Sequence, residues 1–492
     1  MQQQLTTLAR DSRALTALAV PLALTQLAQV ALTTTDTIMM GVLGTEALAA
    51  GGLALVIFNQ LRTMGVGLVT SVGNQVAAAA ARAERGAEAA GTEKAGAKEA
   101  AAEPDAVTEP ATGADHEVRG LVRAAMAVAT LAGLAGAVLM VLIGQAATWL
   151  GQDATVAHRA QGMLAALAPG LVPCLWFQAV RQFTVGMRRP QALLQITLAS
   201  VAVNAALNWA FIHGTWGLPR LGLTGIGVAT SSVYLLSFLA LYASARRDPQ
   251  LAPLLSLDFW RADPATVRRL LGLGTPIAAT YGSEAGFFSV TALLAGSFGP
   301  AALAAHTAVN QLVYIVFQVA VGLSHAASIN VSRELALGEH AAARRIKNTA
   351  LACGAAVTAL VGIVYLTVPD LVLRPYFDPD APADQQGLTI ATSLLVLVAV
   401  LQLFDCAQNI GVGLLRGLDD TRSGFRITLI GYWAVGLPCA WLLAYPLGGE
   451  IRGLWFGLLL GLATTAALLL RRYSRALTAK AAAAPDAVAA GA

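Results

Sequence analysis

The stretch PIAATYGSEAGFFSVTALLAGSFGPAALAA, residues 276–305, decides how this chain folds. It reads as an apolar helix that turns at Gly299-Pro300 into a second one, and it carries a single acid, Glu284. A charge at bilayer depth costs about 2.5–3.5 kcal/mol on insertion scales, so it is seldom kept without a use. The stretch has an echo 255 residues earlier, PLALTQLAQVALTTTDTIMMGVLGTEALAA at 21–50. Without a gap, Pro21 matches Pro276, Gly44 matches Gly299, and Ala47-Leu48-Ala49-Ala50 matches Ala302-Leu303-Ala304-Ala305. The match runs on to Val66-Gly67-Leu68 against Val321-Gly322-Leu323. Further along, Phe177-Gln178, Val185-Gly186 and Arg189 pair with Phe404-Asp405, Val412-Gly413 and Arg416. The chain is therefore read as a duplicated helical bundle.

Composition says where that bundle lives. Of 492 residues, 56% are hydrophobic and 12% charged, against about a quarter charged in soluble domains. Apolar windows long enough for a bilayer core of roughly 30 Å recur near 15–40, 47–80, 121–148, 158–186, 192–213, 223–245, 268–297, 301–334, 346–368, 388–415, 425–446 and 452–471. The expected fold is an all-α polytopic membrane protein, with twelve transmembrane helices in two six-helix lobes related by an internal repeat. An N-terminal lobe spans 1–245, a cytoplasmic linker 246–267, and a C-terminal lobe 268–475. Residues 83–117 and the tail 476–492 have too few large apolar groups to build a core and read as disordered. With both termini inside, cytoplasmic segments hold 26 of the 32 basic residues and outside segments four. That imbalance fixes the orientation. It also accounts for the net charge of +4 without a nucleic-acid partner. The polar start MQQQLTTLARDSR leads straight into the first span, so no cleavable signal is expected. Arginine far exceeds lysine and alanine is abundant, as in bacteria with GC-rich genomes. The expected location is thus a bacterial cytoplasmic (inner) membrane.

Only Asp36, Glu284 and Asp405 fall deep within apolar spans among the 28 acids. In the repeat alignment Asp36 faces Thr291, Glu284 faces Gln29 and Asp405 faces Gln178, so each lobe has its own chemistry. A buried acid can also be a mere packing residue, paired with an intramembrane cation such as Arg62 or Arg181. Two carboxylates in one cavity can hold and release a proton. With hydroxyls and carbonyls they can equally form a sodium site, since hard cations prefer oxygen. Both alternatives stay open on the residues alone. Asn204 and Asn208 lie at i, i+4 on one helix face and could join Asp36, or could serve as interhelical hydrogen-bond glue. Aromatics such as Trp176, Phe287 and Phe317 could meet an organic cation through their faces. His306 and His213 read as packing or loop residues. No Gly-Lys phosphate loop, Gly-x-Ser-x-Gly elbow or metal-spaced cysteine pair occurs, so an enzyme is not expected.

Several motifs together resemble the multidrug and toxic compound extrusion (MATE) family, in its NorM-like branch. They are TTTDTIMMGVLGTEALAA at 33–50, VNAALNWAFIHG at 203–214, GVATSS at 227–232, AAHTAVNQ at 304–311 and FDCAQNIGVGLLRGLDDTR at 404–422. The resemblance implies a secondary antiporter that exports cationic lipophilic drugs in exchange for Na+ or H+, by alternating access. It needs no cofactor beyond the coupling ion and acts as a monomer on small organic cations within the lipid bilayer. The family's C-lobe cation site falls on Glu284, Asp405 and Phe317, with Na+ at the two acids as one option. Its N-lobe ion or proton and substrate residues fall on Asp36, Asn204 and Asn208. Leu401 stands where some relatives have tyrosine, and Thr307 where glutamine is usual. The alternative within transport is a flippase for lipid-linked precursors. Its pyrophosphate cargo would call for several basic residues in the bundle, and here Arg62 and Arg181 are the candidates.

Overall fold

The computed structural model describes residues 2–98, 113–146, 154–382 and 384–489, and among these every regular element is helical. The first repeat contributes α1 (Gln2–Val42), α2 (Thr45–Thr70), α3 (Val72–Lys98), α4 (Gly113–Ala146), α5 (Ala154–Gly186), α6 (Gln191–His213) and α7 (Leu223–Arg247). The second contributes α8 (Pro264–Gly296), α9 (Pro300–Ala336), α10 (His340–Thr367), the short α11 (Pro369–Leu373) and α12 (Gln385–Gly417). It ends with α13 (Thr421–Leu429), a π-helical segment Ile430–Gly436, α14 (Leu437–Ala444) and α15 (Glu450–Ala489).

Eleven stretches of the described residues are long and apolar enough to cross a bilayer, α2 with α3 forming one and α13 through α14 another. The remaining expected span is α8. At 33 residues it has the length, but Thr280, Tyr281, Ser283, Glu284 and Ser289 dilute its apolar character.

Two expectations need correction. Residues 83–98 continue α3 and 113–117 open α4, so these parts of the expected disordered insertion are helical; its centre, 99–112, lies outside the described residues. Likewise α15 runs on through 476 to Ala489, where a disordered tail was expected. Alanine has the best helix propensity, and extending a helix already nucleated by packing costs far less than starting one. Lack of a core is not lack of a helix.

The repeat is visible in the backbone. Gly44 and Gly299 adopt φ of 101° and 100° between α1 and α2 and between α8 and α9. Glycine alone takes that conformation cheaply, which explains its recurrence after 255 residues. The second part of the repeat follows a different register from the sequence match. α5 ends at Gly186 and α12 at Gly417. Arg188 and Asp419 both take positive φ, 59° and 62°, in the turns that follow. This offset of 231 sets Asp405 opposite Cys174 and Gln178 opposite Asn409, four residues from the pairing of Phe177-Gln178 with Phe404-Asp405. Four residues are close to one helical turn, so the slip keeps each side chain on nearly the same face.

Packing groups the chain into two compact units. One comprises Met1–Leu27, Ala279–Val331 and His340–Ala492; the other comprises Ala28–Ala278 and Ser332–Glu339. The division falls inside α1 and α8, shortly after Pro21 and Pro276. In the first unit α1 presses Ala23 against Gly322 of α9, where an added Cβ would lie 2.7 Å from the Ala23 Cα. In the second, α8 presses Ala278 against Gly67 of α2, at 2.6 Å. The pairs 23/322 and 278/67 are related by the same repeat, which gives the recurrence of Gly67 and Gly322 a steric cause.

Gly67→Ala should therefore lower the melting temperature of the purified protein, by the about 1–3 kcal/mol that overpacking costs. Gly52→Ala, where an added Cβ meets nothing within 4 Å, should leave it unchanged or raise it. Equal melting of the two variants would contradict the close approach.

Candidate functional site

A carboxylate in a helical bundle must find its hydrogen bonds inside the protein, because hydrocarbon offers none. In the second unit α1 supplies Asp36, α6 supplies Asn204 and Asn208, and α7 supplies Thr230, none more than 2% exposed. Asn208 Nδ2 donates to Asp36 Oδ1 at 2.8 Å, and Thr230 Oγ1 donates to Oδ2 at 3.0 Å. Asn208 Nδ2 also reaches Asn204 Oδ1 at 3.1 Å, and Asn204 Nδ2 reaches Thr230 Oγ1 at 3.5 Å. Each carboxylate oxygen thus has one donor. Asn208 Oδ1 has no hydrogen-bond partner among the described residues, so an acceptor remains open beside the acid. The i, i+4 spacing on α6 brings the two asparagines together with Asp36.

The first unit builds a different site on α8, α12 and the π-helical segment. Glu284 is half-buried on α8 and Asp405 is buried on α12. Asn409 Nδ2, one turn along α12, donates to Asp405 Oδ1 at 3.2 Å and to its backbone carbonyl at 2.9 Å. Tyr432, fully buried, donates to Glu284 Oε1 at 3.3 Å and to Gln408 Oε1 at 2.8 Å. The ring of Phe287 stacks on Tyr432 at 4.8 Å and 15°. Beside it, Trp433 Nε1 donates to Ser283 Oγ at 2.8 Å. Phe317 is half-buried on α9, and the ring it stacks on is Tyr314, at 6.1 Å.

The intramembrane cations have neighbours of their own. Arg62 Nε donates to Asn59 Oδ1 and Arg181 Nη1 to Gln178 Oε1. No group of three His, Cys, Asp or Glu side chains suited to a metal occurs among the described residues. This part of the unit thus offers the carboxylates of Glu284 and Asp405, and the Tyr432 hydroxyl lies between Glu284 and the Gln408 amide oxygen. Such a set suits a proton or a small hard cation rather than a soft metal.

Four of these residues escape a reading of the sequence. Thr230 lies within GVATSS, and Gln408 and Asn409 lie within FDCAQNIGVGLLRGLDDTR, both stretches already marked by resemblance. Tyr432 has no such flag. It is one aromatic in an apolar span, and only the packing of that span against α8 and α12 reveals its acceptors.

The sequence model of the MatE family matches residues 111–210 and 276–442. The chain is 36% identical over 457 residues to a probable multidrug resistance protein NorM of Pseudomonas aeruginosa, covering 93% of this chain and 88% of that protein. It is 32% identical over 459 residues to the multidrug resistance protein NorM of Burkholderia vietnamiensis, covering 93% and 92%. In fold it is similar to the Vibrio cholerae MATE transporter VcmN in its bent form, with a TM-score of 0.80 at 16% identity over 96% of this chain and 99% of that one. It is likewise similar to the eukaryotic MATE transporter AtDTX14, with a TM-score of 0.77 at 20% identity over 96% and 99%.

Thr230→Val removes the donor to Asp36 Oδ2 and should cost about 1.5–3 kcal/mol, the worth of a hydrogen bond to a charged group. In the Asp36→Asn background the same change should cost markedly less. Thermal unfolding of the four proteins in detergent closes this double-mutant cycle, and full additivity would argue against the bond.

Proposed function

The chain belongs to the MatE family of membrane transporters, and from that premise we propose that it is a cation-coupled multidrug exporter. In this reading it expels cationic, lipophilic compounds across a bacterial inner membrane in exchange for Na+ or H+, with both termini in the cytoplasm. The names of the two NorM relatives, a probable multidrug resistance protein and a multidrug resistance protein, support the cargo class. The 26-to-4 distribution of basic residues supports the orientation.

The observation that carries the coupling is the placement of Glu284 and Asp405 in one unit, with Tyr432 between Glu284 and Gln408, three residues from Asp405, and with neutral donors on both acids. Two acids that repel hold an ion readily, and neither is neutralised by an arginine among its hydrogen-bond partners. Sodium would be held by the two carboxylates; a proton would sit on either acid. One charge crossing 100 mV gains about 2.3 kcal/mol, roughly a fifty-fold concentration ratio for the cargo. The Asp36 cluster is a second ion or proton site, and its open Asn208 oxygen is the natural place for an added ligand. Alternating access links the two, each unit exchanging its ligand as the protein opens first to one side and then to the other.

Ethidium efflux from cells expressing the protein tests this, with sodium and pH varied separately. Glu284→Gln and Asp405→Asn should each weaken the ion dependence at least about tenfold, as expected when a charged partner worth 1.5–3 kcal/mol is lost. Unaltered efflux in both variants would remove the coupling site. Wild-type efflux indifferent to both ion gradients would remove antiport.

A further inference from the structure

The hydrogen bonds around Glu284 support a narrower reading, one that rests on the ion-coupling role proposed above. The Tyr432 hydroxyl has two acceptors within reach, Gln408 Oε1 at 2.8 Å and Glu284 Oε1 at 3.3 Å. A phenol has one proton, so one acceptor at a time receives the full bond. A bare carboxylate is the stronger acceptor by roughly a factor of two, whereas a carboxylate already covered by an ion is not. We propose that Tyr432 is a positioning residue that reads the ion occupancy of Glu284: it gives its proton to the bare carboxylate, and to Gln408 once the ion is bound.

The surroundings suit such a reader. The ring is clamped by stacking on Phe287, so the hydroxyl can turn while the ring stays in place. Tyr432 and Trp433 are consecutive in the π-helical segment and donate to the consecutive α8 residues Glu284 and Ser283. The π-turn is thereby tied to α8 at two adjacent points, one fixed and one dependent on the ion. Pro438 supplies a local cause for that turn. It has no N–H for the carbonyl of Ala434, four residues earlier, and its ring crowds the same turn. In α6, the counterpart at the 231-residue offset, position 207 is leucine and the helix is regular throughout. Gly431 and Gly436, at the i, i+5 spacing of a π-helix, lie against Thr465 and Gly461 of α15. Among the described residues, the charged or titratable groups that act on Glu284 are Asp405 from α12 and Tyr432 itself.

Two acceptors sharing one proton predict effects of opposite sign. Tyr432→Phe deprives the bare carboxylate of its donor, so the coupling ion should bind more tightly and its half-saturating concentration should fall about tenfold. Gln408→Met removes the competing acceptor, so the proton stays on Glu284 and the half-saturating concentration should rise severalfold. The measurement is ethidium transport by the full-length protein in proteoliposomes, with sodium titrated at fixed pH and protons at fixed sodium. Opposite shifts that vanish in the Glu284→Gln background support the proposal. Shifts in the same direction, or none in variants that melt as the wild type does, overturn it. Should Tyr432→Phe not yield folded protein, Gln408→Met decides alone, an unchanged or lowered half-saturation counting against the reader. A Glu284→Gln protein with wild-type ion dependence would instead overturn the coupling role itself, and this inference with it.

Discussion

Three carboxylates sit within helical spans, and the hydrogen bonds onto them come from amides and hydroxyls: Asn208 and Thr230 on Asp36, Asn409 on Asp405, Tyr432 on Glu284. The rest of the structure depends on this choice of partner. An arginine would supply a permanent counter-charge, and a buried ion pair of that kind is costly to break. Neutral donors leave the negative charge in place while easing its desolvation. A carboxylate so held has no permanent counter-charge among its hydrogen-bond partners. The two intramembrane arginines also donate to amides, Arg62 to Asn59 and Arg181 to Gln178.

A symmetric scaffold carries this unsymmetric chemistry. Backbone features repeat faithfully: the glycine turns at 44 and 299, the positive-φ residues 188 and 419, and the close helix approaches at Gly67 and Gly322. Each is a place where sterics admit few alternatives. The polar side chains do not repeat. Asp36 corresponds to Thr291, which is fully buried and donates to the Phe288 carbonyl of its own helix. Helix packing in a bilayer is governed by small residues and close approach, so the frame can be kept while the acids diverge between the copies.

The spans and the three acids were legible in the sequence because both are bilayer effects. Apolar length and misplaced charge are read residue by residue, without knowledge of packing. The close approaches were half-legible: Gly67 and Gly322 recur visibly, but their partners Ala23 and Ala278 are known only from the crossings. The second register was misread by four residues because a helical turn hides such a slip. Helicity in 83–98 and beyond 476 was missed because alanine-rich helices need no core. Tyr432 was invisible for the opposite reason: an aromatic in an apolar span is ordinary until its hydroxyl is seen between two acceptors.

The π-helical segment joins these strands of the argument. A regular helix at 430–436 would set residue 436 far around the axis from 431, and Gly431 and Gly436 could not both face α15. The wider turn lines them up there, and Pro438 denies Ala434 the N–H that a regular helix would provide. With that face of the turn fixed against α15, Tyr432 and Trp433 are left pointing at α8, where Glu284 and Ser283 receive them. Backbone irregularity in a membrane is tolerated where protein buries it, and here it sits beside Glu284. The irregular turn and the unpaired carboxylate are thus parts of one arrangement, the first supplying the donor that the second needs.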